Sequence, residues 1–331
     1  MDTIVNVQLE KLGLRPRRAL FGGVPVELEW TPDPQNPVLD DRVLVALPDL
    51  HLGDGGKADI FRGTAGGRHR ARFTKFLRAL VACKQELARS NRRLSVVQVG
   101  DCYDVWRAFP FHSNIRGRTY AAIQAAYAEI IALLVDELDT RFCVGNHDSV
   151  LATSPPDWGF GGGRIAYAQR FCSGRVFAFH GHQGDQLADE LAGQHGQTWV
   201  ALGSTLAGVA NAAGMALQKA LDRHEDAFPG DDGGWPEGPS PEAGSRWRAR
   251  RWSDYGPRRG RFERVLAAMA QASPAVERPV QLLLVGHTHR PGVTWLAREG
   301  RTIPVVDVGS WTYGRSQFGV VTEGNASLWE L

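Results

Sequence analysis

The sequence predicts an α/β fold built on a largely parallel, layered sheet, and three observations carry that expectation. Short apolar runs of strand length alternate with segments whose apolar residues recur at helical spacing. Six of the runs end at a short polar motif: Asp49-Leu50-His51, Gly100-Asp101, Gly145-Asn146-His147-Asp148, His180-Gly181-His182, Gly286-His287-Thr288-His289 and Gly309-Ser310-Trp311. In such sheets functional groups gather beyond the carboxyl ends of the strands, so residues far apart in sequence can converge on one edge.

Taken in order, residues 1–40 read as strand in pieces, best at 24–30, with a turn cluster over 31–37. Residues 42–47 form a β-branched and leucine run that stops at Pro48, the pattern of a buried strand. A glycine-rich loop over 53–67 leads to an amphipathic helix carrying Phe73, Phe76, Leu77, Leu80, Val81 and Leu87 on one face and Arg and Lys on the other. Residues 94–99 are a second strand. A second helix spans 120–138, with Tyr120, Ile123, Tyr127, Ile130, Ile131 and Leu134 on one face. Residues 141–144, 175–179, 281–285 and 303–308 complete the strands.

Between His182 and Gln281 the alternation breaks. Residues 185–223 look helical and rich in small residues, 226–244 are a Pro/Gly/acidic loop, and a basic, aromatic stretch runs from Arg246 to Arg264. Residues 185–265 are therefore expected to cap the body of one domain, 1–331, rather than to fold alone.

The chain has 331 residues and a net charge of +2, which excludes a globally basic nucleic-acid footprint. Its four cysteines, Cys83, Cys102, Cys143 and Cys172, form no CxxC pair, so reduced, buried thiols and a cytoplasmic location are expected. Residues 1–10 lack the basic-then-apolar order of a signal peptide. No run reaches the roughly 20 apolar residues that span a bilayer.

The motif residues are oxygen and nitrogen donors suited to a pair of hard-to-borderline divalent cations. Asp49 and His51 would share a face of an extended segment and serve one ion. His287 and His289 can deliver two imidazoles from a turn. Asp101, at a strand end, could bridge two cations, and Asn146 supplies a neutral oxygen that preserves Lewis acidity. His147 beside Asp148 reads as an oriented proton donor. His180 and His182 are both open as ligands, with His180 favoured at its strand end. Two bridged cations mainly drive attack of an activated water on phosphorus or a carbonyl.

Over residues 42–312, apart from the insertion, this motif order resembles the calcineurin-like metallophosphoesterases. Asp49-Leu50-His51-Leu52-Gly53, Gly100-Asp101-x-x-Asp104-x-Trp106, His287-Thr288-His289-Arg290-Pro291 and Gly309-Ser310-Trp311 are most similar to the branch containing UDP-2,3-diacylglucosamine pyrophosphohydrolase. The resemblance implies a four-layer α/β/β/α sandwich with a mostly helical cap. It implies one ion held by Asp49, His51, Asp101 and His289, and a second held by Asp101, Asn146, His180 and His287. His147 would stabilise the phosphoryl oxygen or protonate the leaving group, oriented by Asp148, while a bridging hydroxide attacks in line. The chain departs from that branch at His147, where Arg is usual, in the motif His180-Gly181-His182-Gln183-Gly184-Asp185, and in its long Arg/Trp-rich insertion.

The expected activity is hydrolysis of a phosphodiester or pyrophosphate bond in a small molecule, such as a nucleotide-linked lipid. Two divalent ions per chain, manganese first and iron, zinc or nickel also allowed by the ligand types, would serve it. Arg246, Trp247, Arg250 and Trp252 would hold substrate phosphate and stack a base or sugar. Peripheral contact with a membrane would accompany a lipid substrate. A nuclease or cyclic-nucleotide phosphodiesterase is the alternative, since basic and aromatic groups interleaved also suit single strands; a non-catalytic metal-binding scaffold is the third reading.

Overall fold

A computed structural model describes residues 2–21, 24–35, 37–39, 43–55, 59–61, 67–104, 116–148, 167–168, 170–182, 247–249, 280–287, 289, 291–298, 301–312 and 314–331. It is a mixed α/β structure with two large sheets. The expected strands over 42–47, 94–99, 141–144, 175–179, 281–285 and 303–308 all form, but they divide between the sheets.

Among the described residues the first sheet has nine strands and is centred on β5 (Val43–Leu47). Every residue of β5 is apolar and buried because the strand is covered on both faces. Val43, Val45 and Leu47 point into a core shared with the helices, while Leu44 and Ala46 point into a core between the sheets. β6 (Leu94–Gln98), β7 (Arg141–Cys143) and β8 (Tyr167–Ala168) extend the sheet in parallel on one side. On the other side the antiparallel hairpin β15 (Gln317–Thr322) and β16 (Asn325–Glu330) pairs with β5 and then with β4 (Glu27–Trp30). β11 (Trp247–Ala249) closes that edge against β4, and β1 (Arg17–Arg18) pairs with β16.

The second sheet sets β10 (Val176–Ala178), β12 (Leu282–Val285) and β14 (Arg301–Val308) in parallel. β9 (Phe171–Ser173) and β13 (Pro291–Arg298) flank them antiparallel. Val176, Ala178, Leu282, Leu284, Val306 and Val308 face the first sheet. Phe177, Phe179, Leu283, Val285 and Val305 form a smaller apolar cluster on the opposite face. A short ribbon of β2 (Leu20–Phe21) and β3 (Val24–Pro25) forms its own two-stranded sheet, with β2 against β13.

Three helices pack on the outer face of the first sheet. α2 (Gly67–Arg89) buries Phe73, Phe76, Leu77, Leu80 and Leu87, the stripe expected from its periodicity, with Val81 half-buried beside it. α3 (Arg116–Ala132) leaves helical geometry at Tyr127 (φ −126°, ψ 26°) and runs into a single π turn, Leu133–Glu137. Ile123, Tyr127, Ile130, Ile131 and Leu134 are buried there, whereas the expected contribution of the Tyr120 side chain lies outside the described residues. α1 (Thr3–Lys11) corrects the expectation of strand at the N-terminus: Asp2 caps it by accepting from the Ile4 N–H, and Val5 and Leu9 pack into the helical core.

Most of the expected cap, 185–246 and 250–265, lies outside the described residues. Trp247–Ala249, within its bounds, is a strand paired with Leu28–Trp30 at the sheet edge. Cys83, Cys102 and Cys143 are buried as expected, but Cys172 is exposed. No helix among the described residues is long and apolar enough to cross a membrane.

Candidate metal centre

Five parallel strands deliver the motif side chains to one place. Asp49 follows β5, Asp101 follows β6, Asn146, His147 and Asp148 follow β7, His180 follows β10, and His287 and His289 follow β12. The sheets are linked at this edge by a bridge between Asp49 and Ser310, which follows β14, and by the Trp311 N–H donating to the Asp49 carbonyl at 2.9 Å. Asp49, His51, Asp101, Asp104, Asn146, His147, Asp148 and His180 are all buried, an unusual density of polar groups in an interior.

The side chains gather in overlapping groups whose donor atoms lie within 4.8 Å of one another: Asp49, His51 and His289; His51, Asp101 and His147; and Asp101, His180 and His287. His289 Nε2 is 3.1 Å from Asp49 Oδ2 and 3.0 Å from His51 Nε2. His180 Nε2 is 3.2 Å from Asp101 Oδ2, 3.2 Å from His287 Nδ1 and 3.0 Å from Asn146 Oδ1. His51 Nε2 lies 3.6 Å from Asp101 Oδ2 and ties the groups together. Imidazole nitrogens facing one another across a buried carboxylate cluster are donors suited to a divalent cation. These buried His and Asp groups are positioned to hold a metal.

The backbone reaches this arrangement through conformations L-residues seldom adopt. His51, Asp101, His287 and His289 all have φ between 49° and 73°. Asp49 and His51 therefore meet through a turn after β5, not through strand alternation as expected. Close approach also explains Gly145 and Gly286: a Cβ at the first would collide with Asp101, and one at the second with the Asp49 carboxylate. Two buried amides hold the loops. Gln98 accepts from the Gly100 N–H at 3.0 Å and donates to the Pro48 carbonyl at 3.2 Å, and Gln317 accepts from the Ser310 N–H at 3.1 Å.

Electrostatics divide the site. Burial pushes His51 down to about 4, with His147 adding to the effect. His180 is raised to about 9: burial opposes its charge, but Asp101 and Asp49 outweigh burial. Burial likewise opposes the charge of Asp101, yet His180, His147 and His51 hold it well below the usual carboxylate range. Asp148, buried and close to Asp101, rises to about 7.

Every expected ligand residue reaches this cluster. Of the two candidates on the loop after β10, His180 makes the close contacts, while His182 lies with its ring centroid 5.3 Å from His180 and 6.4 Å from His287. The pairing expected between His147 and Asp148 falls instead to Asp104, whose Oδ1 is 3.0 Å from His147 Nδ1 and whose Oδ2 is 3.4 Å from His51 Nδ1. The Asp148 carboxylate accepts from the Cys102 N–H at 2.9 Å and the Gly145 N–H at 2.7 Å, pinning the β6 and β7 loops together. Asp104 stands in the motif Gly100-Asp101-x-x-Asp104, but that spacing does not show that its carboxylate turns toward His147. Of the expected substrate residues, Trp247 has its backbone opposite Trp30 at the sheet edge, four strands across from β5. Arg246, Arg250 and Trp252 lie outside the described residues.

A scan against protein-family profiles finds none that matches this chain, and a search of curated proteins finds no match.

Proposed function

We propose that the chain is a calcineurin-like, dinuclear metal-dependent phosphoesterase that hydrolyses a phosphodiester or pyrophosphate bond in a small molecule, such as a nucleotide-linked lipid. The observation that carries the reading is the convergence of buried His and Asp donors from strand ends of both sheets on one point. Asp49, His51, Asp101 and His289 would hold one ion, and Asp101, Asn146, His180 and His287 the other. When bound, such a pair supplies the nucleophilic water and neutralises charge developing on phosphorus. The apolar cluster on the outer face of the second sheet supports a second helical layer and hence a four-layer sandwich.

The protein's own part centres on His147. By accepting the His147 Nδ1–H, Asp104 would fix the ring tautomer and leave Nε2 for a phosphoryl or leaving-group oxygen. The same carboxylate, facing His51 Nδ1, would direct the lone pair of His51 Nε2 toward the ligand cluster. One carboxylate thereby orients a proton donor and a metal ligand together.

The test is hydrolysis of bis-p-nitrophenyl phosphate and p-nitrophenyl phosphate with manganese, comparing the native chain with Asp101→Ala and His147→Ala. Diester cleavage lost in both variants supports the reading. Protein that contains metal but cleaves neither of these esters nor a UDP-linked lipid would overturn it in favour of a metal-binding scaffold.

A further inference from the structure

At the end of the first sheet away from the metal centre lies a second concavity, of about 460 Å³. The last turns of α2, the starts of β6 and β7, and β9 of the second sheet frame it. Its floor is apolar, with Leu94, Val96 and Leu138 buried. Its rim carries Lys84, Arg92, Arg93 and Arg141, and Asp139 is the one acid among the described lining residues.

Cations are common beside a helix C-terminus, where they meet the negative end of the dipole. That accounts for Lys84, near the end of α2, but not for the convergence of the three arginines. Arg141 comes from β7, and Arg92 and Arg93 lie beyond the end of α2. Two of them are held in place: Lys84 Nζ donates to the Glu137 carbonyl at 2.7 Å, which leaves its charge uncancelled, and Arg92 meets Asp2 at 2.5 Å. Arg141 pairs with Asp139 at 3.3 Å, but both are more than half exposed, so that pair is weak and readily exchanged.

We propose that this concavity binds an organic phosphate, a small anion with one or two phosphate groups joined to an apolar or ring moiety, independently of the metal centre. Arginine binds phosphate through paired hydrogen bonds, and the fixed ammonium of Lys84 supplies a point charge beside it. The apolar floor takes the ring, and the volume falls within the roughly 300–1,000 Å³ usual for small-molecule sites. The site is separate from the metal centre because the strands run between them. β6 begins at the concavity with Leu94, and seven residues later, up to about 23 Å along extended chain, the backbone reaches Asp101. β7 likewise begins at Arg141 and leads to Asn146.

The test uses the full chain with metal removed by EDTA and adenosine 5′-monophosphate as the probe, followed by titration calorimetry. Adenosine and inorganic phosphate serve as controls for the two parts of the probe. The expected result is measurable binding that weakens at least tenfold in Arg93→Ala/Arg141→Ala and is partly restored in Arg93→Lys/Arg141→Lys. Asp101→Ala, at the other end of the sheet, leaves the affinity unchanged. The lysine pair also guards against misfolding, since both positions are exposed. Binding that ignores the arginines, binding abolished by Asp101→Ala, tighter binding of adenosine than of the monophosphate, or no binding at millimolar probe would each overturn the proposal.

Discussion

Replacing Asp104 by Asn is the sharpest probe of how the centre is organised. The two side chains are nearly identical in shape, and Asp104 is almost fully buried, so packing is preserved. What changes is the chemistry facing the two imidazoles, 3.0 Å from His147 Nδ1 and 3.4 Å from His51 Nδ1. A carboxylate accepts from both rings; an amide accepts through one atom and donates through the other. One histidine must then present a lone pair at Nδ1 and carry its proton on Nε2. If that ring is His51, the nitrogen facing His289 is blocked as a ligand; if it is His147, the proton sits in the wrong place for transfer. Loss of a charge-assisted hydrogen bond costs about 1.5–3 kcal/mol, and outer partners of metal-bound histidines are typically worth about 10- to 100-fold in affinity or activity. We therefore expect Asp104→Asn to lower kcat on bis-p-nitrophenyl phosphate, manganese affinity, or both, by about 10- to 100-fold, with the metal-free protein still folding cooperatively at a lowered thermal midpoint. Native turnover together with native metal affinity would show that Asp104 orients neither ring.

Three further outcomes follow from the geometry. Asp148→Ala leaves the buried N–H groups of Cys102 and Gly145 without their acceptor, so unfolding in urea with saturating manganese should lose about 2–5 kcal/mol; an unmoved midpoint would mean that the carboxylate does not hold these loops. His69 is buried beside the Trp311 carbonyl at 2.8 Å, and burial lowers its pKa below the usual histidine value. Its contribution is thus complete above about pH 6.5 and is lost as pH falls through the lowered folded value. The thermal midpoint measured in EDTA should drop less steeply on acidification in His69→Gln than in the native chain, and parallel curves would exclude His69 as a source of the slope. Finally, Cys172 alone is exposed, while burial pushes the Cys83 thiol up to about 12 and raises Cys102 and Cys143 as well. A thiol reagent at pH 8 should modify one cysteine in the native state and all four after denaturation, and rapid reaction of a second thiol in native protein would contradict the burial.

The sequence exposes the parallel strands because each is a dense apolar run that stops at a charged or glycine-bearing motif. β5 and β12 are covered on both faces, so no polar residue interrupts them. The residues that converge in the buried His and Asp cluster were legible for the same reason, as polar groups just beyond the ends of the apolar runs. α1 was not legible: only Val5 and Leu9 anchor it, and Gln8 is buried beside them, so its apolar stripe is too thin to outweigh a strand-like reading. The β15–β16 hairpin was missed although Gly324, at φ 113°, marks its turn. The role of Asp104 was hidden by backbone geometry. Once Asp101 adopts φ 49°, neither strand nor helix periodicity tells which later side chain turns back toward His147. The division into two sheets also escaped local pattern, since Leu282–Val285 and Val43–Leu47 are equally apolar and choose partners only through tertiary packing.

His51 meets His289 at a sequence separation of 238 positions, and Asp49 meets the same ring. No short stretch of the polypeptide therefore owns the metal centre. A chain growing from the ribosome would carry loose carboxylates and imidazoles until the strand bearing His287 and His289 had emerged and docked, since Asp49 accepts the His287 N–H at 2.9 Å only after that docking. On the proposed function, metal binding would follow folding rather than nucleate it. On the proposed reading, ion content would report completed folding: a chain that stops before His287 also lacks β15 and β16, so neither its first sheet nor its donor cluster is assembled.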